Sequence, residues 1–154
     1  KNKFNSTIKL NEGIEKISSL EIVGLISSNR DNYLAVSSDK YPVIYIYNKN
    51  HEIVSRLVSH TMGVTCLKSF NFSLFSGSYD MTARLWDVAT GVPSLLCNTR
   101  AVKKTAIECG LYCDKLLLFV GGKNVVYCLS VTDKKALFEI ILDDSMVARK
   151  IAFL

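Results

Sequence analysis

No stretch of this 154-residue chain approaches the ~18 consecutive apolar residues that a membrane-spanning helix needs. LLLFV stops at Gly121-Gly122, and ALFEIIL is interrupted by Glu139. Charge is not massed anywhere either. The formal net charge of +5, from 19 Lys and Arg against 14 Asp and Glu, is spread thinly, with only short pairs such as Lys103-Lys104, Lys134-Lys135 and Arg149-Lys150; a nucleic-acid stripe would be denser. The five cysteines, at 66, 97, 109, 113 and 128, form no CxxC, and both histidines lie far upstream of the closest grouping, Cys109 and Cys113. That pattern argues against a zinc site and points to buried free thiols in a reducing compartment. Catalytic signatures are missing as well. Gly121-Gly122-Lys123-Asn124 lacks the first glycine of a phosphate-binding loop, where Leu117 stands, and its Ser or Thr. No GxGxxG precedes a helix, no GxSxG forms a nucleophile elbow, and the carboxylates show no paired hydrolase pattern. We expect no enzyme, no cofactor and no metal.

What the chain does have is apolar content, 49% of its residues, enough for one globular unit with a substantial core. It is dealt out in short runs rich in β-branched and aromatic residues: YLAVSS, VIYIYN, TARLW, VVYCLSV and LFEIIL. Turn-forming clusters such as NRDN, YNKN, ATG and TDKK separate them. No convincing helical period is present, so the fold class is all-β.

A repeat organises these runs. Laying Val64-to-Asp80 over Val23-to-Asp39 gives an offset of 41 residues, within the range of propeller blades. The best-formed unit opens with His60, passes through LFSGSYD with Ser78 and Asp80, and closes on Trp86-Asp87. Position by position, residues 59–91 resemble a WD repeat of the β-propeller family. The resemblance implies a structural clamp of His60, Ser78, Asp80 and Trp86, in which the indole N–H donates to the serine, the serine to one ring nitrogen of His, and the other ring nitrogen to Asp. Ser, His and Asp are also the parts of a hydrolase triad, but Ser78 lies in an alternating strand just before the turn Asp, which favours the structural role.

The same alignment reads residues 19–58 as a degenerate blade in which Ser37 and Asp39 keep the Ser and Asp, while Tyr47-Asn48 replaces Trp-Asp. Residues 101–143 read as a more eroded blade, with Gly122 for the Ser, Asn124 for the Asp, and either Leu129 or Val131 at the Trp position. Residues 6–18 read as the end of a preceding blade and 147–154 as the first strand of the next. The expectation is therefore about half a ring of four-stranded antiparallel blades, a fragment of a seven-bladed propeller of roughly 290 residues, which needs the rest of its propeller or a complementary chain. A small closed ring is the alternative.

Function is then expected on the rigid disc's loops. In the family, contact residues tend to lie at the start of the first strand and just before the turn Asp. Carried over, these are Gly63, Thr65 and Tyr79 in the best blade, Ile22, Gly24 and Ser38 in its neighbour, and Lys123 in the third. Tyr79 is the favoured contact, since aromatics are enriched at hot spots. The resemblance implies a non-catalytic protein-protein interaction scaffold within a multi-subunit complex, including a substrate-receptor role as in ubiquitin ligases, cytoplasmic or nuclear. The alternative is a subunit of an RNA-protein particle that contacts RNA through basic surface residues.

Overall fold

The computed structural model describes residues 17, 19–24, 32–70, 73–98, 107–112, 115–121, 124–133 and 135–143. Their twelve strands form three antiparallel meanders, each of four consecutive strands. The first holds β1 (Ser19–Gly24), β2 (Asn32–Ser37), β3 (Val43–Tyr47) and β4 (Ile53–Val58). The second holds β5 (Val64–Phe70), β6 (Ser73–Ser78), β7 (Thr82–Trp86) and β8 (Pro93–Asn98). In the third lie β9 (Ile107–Tyr112), β10 (Lys115–Gly121), β11 (Val125–Ser130) and β12 (Lys135–Ile141). Among the described residues there is no helix, as the missing helical period requires. The preceding half blade read at 6–18 and the following strand read at 147–154 fall, apart from Ile17, outside the described residues.

Alternation along the strands of the second sheet sends its side chains to two neighbours. Ala35, Ile44, Ile46 and Leu57 of the first sheet pack against Val64, Leu67, Leu74, Trp86 and Val88 of the second unit. Phe75 and Ala83, on the opposite face of that unit, pack with Leu118, Val120 and Leu129 of the third. Burial on both faces explains why β6 is buried from Leu74 to Ser78. Each fully buried Leu, Ile or Phe contributes about 1.5–3 kcal/mol, so the two seams hold the sheets face to face.

The turns into the fourth strands share one device. Asn48 Oδ1 accepts the Asn50 and Glu52 N–H groups at 2.9 and 3.0 Å. Asp87 Oδ1 accepts those of Ala89 and Thr90 at 3.0 and 3.1 Å. Ser130 Oγ accepts the Asp133 N–H at 3.2 Å and donates to its carboxylate at 3.0 Å. Each side chain thus closes a local turn at the end of, or just after, the third strand. The Asp of Trp86-Asp87 belongs to this turn.

Each fourth strand also carries one extra residue against its partner. Ile46 and Tyr47 face Ser55 and Ile53, leaving Val54 over. Ala83 and Arg84 face Cys97 and Leu95, leaving Leu96. Cys128 and Leu129 face Phe138 and Ala136, leaving Leu137. These are β-bulges, at corresponding places in the first and third sheets and two residues earlier along β7 in the second.

The register also corrects the repeat alignment. Leu34 pairs with Tyr47 as Leu74 pairs with Trp86. Ser38 Oγ accepts the Lys40 N–H at 3.3 Å, as Ser78 Oγ accepts that of Asp80 at 3.1 Å. Ser38 therefore corresponds to Ser78, and Lys40 to Asp80. Ser37 and Asp39 do not keep the clamp positions, because the span from Leu34 to its partner Tyr47 is one residue longer than that from Leu74 to Trp86. In the third sheet Leu118 pairs with Leu129 and both enter the seam, so Leu129 rather than Val131 stands at the Trp position.

Candidate functional site

At the end of the second sheet a buried relay underlies an exposed turn. Trp86 ends β7, and its indole Nε1–H donates to Ser76 Oγ at 2.7 Å. Ser76 Oγ lies 2.7 Å from His60 Nε2, and His60 Nδ1 lies 2.7 Å from Asp80 Oδ2. His60 and Trp86 also meet edge to face, ring centres 5.9 Å apart. The assignment that satisfies every group has neutral His60 donating from Nδ1 to Asp80 and accepting the Ser76 hydroxyl at Nε2.

Asp80 collects four donors. Oδ2 accepts His60 Nδ1 and the Thr61 N–H at 3.1 Å; Oδ1 accepts the Thr82 N–H at 2.9 Å and the Thr82 hydroxyl at 2.6 Å. Burial works to raise the Asp80 pKa, but the hydrogen bonds from Thr82, His60 and Thr61 together hold it below its ordinary value. For His60, burial is the largest influence and lowers its pKa; Arg84 acts in the same direction, while Asp80 opposes them. Both shifts favour neutral imidazole beside carboxylate.

The clamp serine is therefore Ser76, and the expectation of Ser78 is corrected. Both serines lie on the Leu74 face of β6, two residues apart. Trp86 pairs with Leu74, so its indole reaches the next side chain on that face, Ser76, and stops short of Ser78. The Ser78 hydroxyl bonds at 3.0 and 2.9 Å to the carbonyls of Met62 and Gly63, tying β6 to the segment before β5. The positions equivalent to Ser76 are Val36 and Val120, both buried. Among the described residues the relay is confined to the second sheet, whose neighbours fill that site with valine.

Ser76, His60 and Asp80 have the connectivity of a hydrolase triad. Their setting removes that chemistry, since Ser76 is 0% exposed and its oxygen already accepts the indole N–H. Among the described residues no three His, Cys, Asp or Glu gather to hold a metal. Of the thiols, burial pushes Cys97 up to about 12 and raises Cys128.

The expected contact residues separate into two groups. Gly63 is buried, and a Cβ there would run into the Asp39 carbonyl. Thr65 is 0% exposed, its hydroxyl donating to the Gly77 carbonyl at 3.2 Å. Ser38 is 2% exposed, and its carbonyl accepts the Val64 N–H at 2.9 Å. All three join the first sheet to the second or brace the second internally, and none presents a surface to a partner. Lys123 lies outside the described residues, and of Ile22 and Gly24 only the strand backbone is described. Tyr79 is half-buried on the β6–β7 turn, with its N–H on the Gly63 carbonyl at 3.0 Å. Beside it are two residues that no sequence signal singles out, Met62 at 53% and Met81 at 41% exposure. Met81 has a left-handed φ of 64°, uncommon for a non-glycine residue.

Three four-stranded meanders stacked face to face, one of them pinned by a Trp-Ser-His-Asp relay, are blades of a partial β-propeller. Residues 51–87 match the family described as WD domain, G-beta repeat, and the chain carries a WD repeat. It is 36% identical over 59 residues to the "Probable E3 ubiquitin ligase complex SCF subunit scon-2" of Neurospora crassa, covering 38% of this chain and 9% of that protein. It is 31% identical over 106 residues to "Eukaryotic translation initiation factor 3 subunit I" of Xenopus tropicalis, covering 66% of this chain and 32% of that protein. The chain thus spans under a third of the length of these curated relatives. Among solved structures it resembles the computationally designed Ika4 protein, with a TM-score of 0.71, 16% identity and coverage of 98% of this chain and 88% of that one. At that identity the likeness concerns the fold.

Proposed function

We propose that this chain is a non-catalytic docking scaffold of an intracellular multi-subunit complex, which holds a partner protein on the turn between β6 and β7. The observation that carries the reading is the half-exposed Tyr79 flanked by Met62 and Met81, on a turn that Asp80 fastens with four hydrogen bonds. A preorganised turn loses little entropy on binding. Aromatic and methionine side chains are enriched at interface centres. The names of its relatives, a subunit of an SCF complex and a subunit of an initiation factor, favour an assembly role. A substrate-receptor role within such a complex is the finer form of this proposal.

The test compares wild type with Tyr79→Ala. Affinity for the co-purifying partner should fall at least fivefold, about 1 kcal/mol, while the unfolding midpoint stays put. Thr65 does not belong in this test, because it is buried. Unchanged affinity would remove the turn from the interface. Binding that weakens steeply with salt, regardless of Tyr79, would favour phosphate contacts and the RNA-particle reading.

A further inference from the structure

Outside the relay, one cation stands apart. Arg84, in the middle of β7, donates from Nη1 to Ser59 Oγ at 2.8 Å, while its Nε is buried without an acceptor. Among the described residues no carboxylate is paired with it. A guanidinium with five N–H donors is thus served by one neutral oxygen. Ser59 is half-exposed and directly follows β4, the outermost strand of its sheet. The segment around it is exposed at most positions: Leu57 and His60 are buried, whereas Arg56, Val58, Thr61 and Met62 are exposed. Arg56 sits three residues before Ser59, the arrangement that arginine-directed serine kinases select.

We propose that Ser59 is a phosphorylation site whose phosphate is read by Arg84. In the transfer, Ser59 Oγ attacks the γ-phosphorus of ATP held by such a kinase. The Oγ–P bond forms as the bond from that phosphorus to the bridging oxygen breaks; ADP departs and the hydroxyl proton passes to the kinase's base. The product carries about −1.5 to −2 charge and three acceptor oxygens. They replace a single neutral oxygen beside a guanidinium suited to binding phosphate through more than one N–H. The phosphate would fasten residues 59–63 to β7. That segment holds His60 of the relay and Met62 of the exposed turn surface, so the modification would reach both.

The experiment treats the purified chain with an arginine-directed serine kinase and ATP, maps the product by mass spectrometry and titrates the phosphate by phosphorus NMR. The expected result is one phosphate on Ser59, absent from Ser59→Ala. Its second ionisation should lie at least ~0.5 unit below the usual value near 6. That shift should vanish in urea and in Arg84→Gln. If Arg84→Gln does not fold, Arg84→Lys replaces it, and the shift should shrink. Failure of the folded chain to accept phosphate at Ser59 overturns the proposal. So does a Ser59 phosphate that titrates alike in folded wild type, in urea and in the Arg84 variant. The outcome is independent of whether Tyr79 binds a partner.

Discussion

Replacing Ser76 by alanine tests the relay most directly. The substitution removes one oxygen and leaves two buried groups without partners, the Trp86 indole N–H and His60 Nε2, each 2.7 Å from that oxygen in the native protein. An orphaned buried group costs about 1–3 kcal/mol, so Ser76→Ala should cost ~2–4 kcal/mol, allowing for shared relaxation. Against a typical stability of ~5–15 kcal/mol this is a large fraction. At ~2–4 °C per kcal/mol for a chain of this size, the midpoint should drop by roughly 5–15 °C. Ser78→Ala is the internal control. It loses the hydroxyl bonds to the Met62 and Gly63 carbonyls and from the Asp80 N–H, but the Gly63 carbonyl keeps the Tyr79 N–H, so its cost should stay near ~1 kcal/mol. Urea unfolding followed by Trp86 fluorescence and by circular dichroism measures both. A Ser76→Ala midpoint equal to wild type, or a larger loss for Ser78→Ala, would refute the assignment of Ser76 to the relay.

Two further outcomes follow from the same geometry. Because the folded His60 pKa lies below its ordinary value near 6.5, the unfolded chain binds a proton first. Stability should therefore fall as pH drops below about 6.5, and fall again below about 3.8 as Asp80, also depressed, is protonated; His60→Gln should flatten the upper step in urea midpoints taken from pH 7.5 to 4.5. Gly63→Ala should destabilise by ~3 kcal/mol or more, since the added carbon meets the Asp39 carbonyl and forces the first two sheets apart; a thermal midpoint within 2–3 °C of wild type, under ~1 kcal/mol, would show that the close approach is not needed.

The all-β class and the stacking of short strands were legible because apolar alternation and turn clusters act locally. Three members of the relay, His60, Asp80 and Trp86, were legible through the resemblance of residues 59–91 to a WD repeat. Ser76 was not, because two serines of one strand face the same way and only the pairing of Trp86 with Leu74 chooses between them. Contacts between sheets were illegible for a related reason. Thr65 and Gly63 look like exposed loop-side residues in sequence, yet Gly63 is pressed against Asp39 from the preceding sheet and Thr65 is covered within its own. The misplacement of Ser37 and Asp39 came from a one-residue difference in the span between paired residues, which shifts a motif match but leaves the strand pairing intact.

The extra residues in the fourth strands, Val54, Leu96 and Leu137, give the stack a directional growth rule. An outermost strand offers unsatisfied backbone groups to any passing chain, and a regular one invites sideways extension into a continuous ribbon. A bulge twists that rim and breaks its hydrogen-bonding rhythm, so a foreign strand meets matching partners for only a few residues. The broad faces carry no such interruption and bury apolar side chains by simple stacking. Blades of this kind can accumulate face to face while resisting polymerisation edge to edge. Straightening the rim, by deleting Val54 or Leu137, would trade a well-behaved propeller blade for a seed of aggregation.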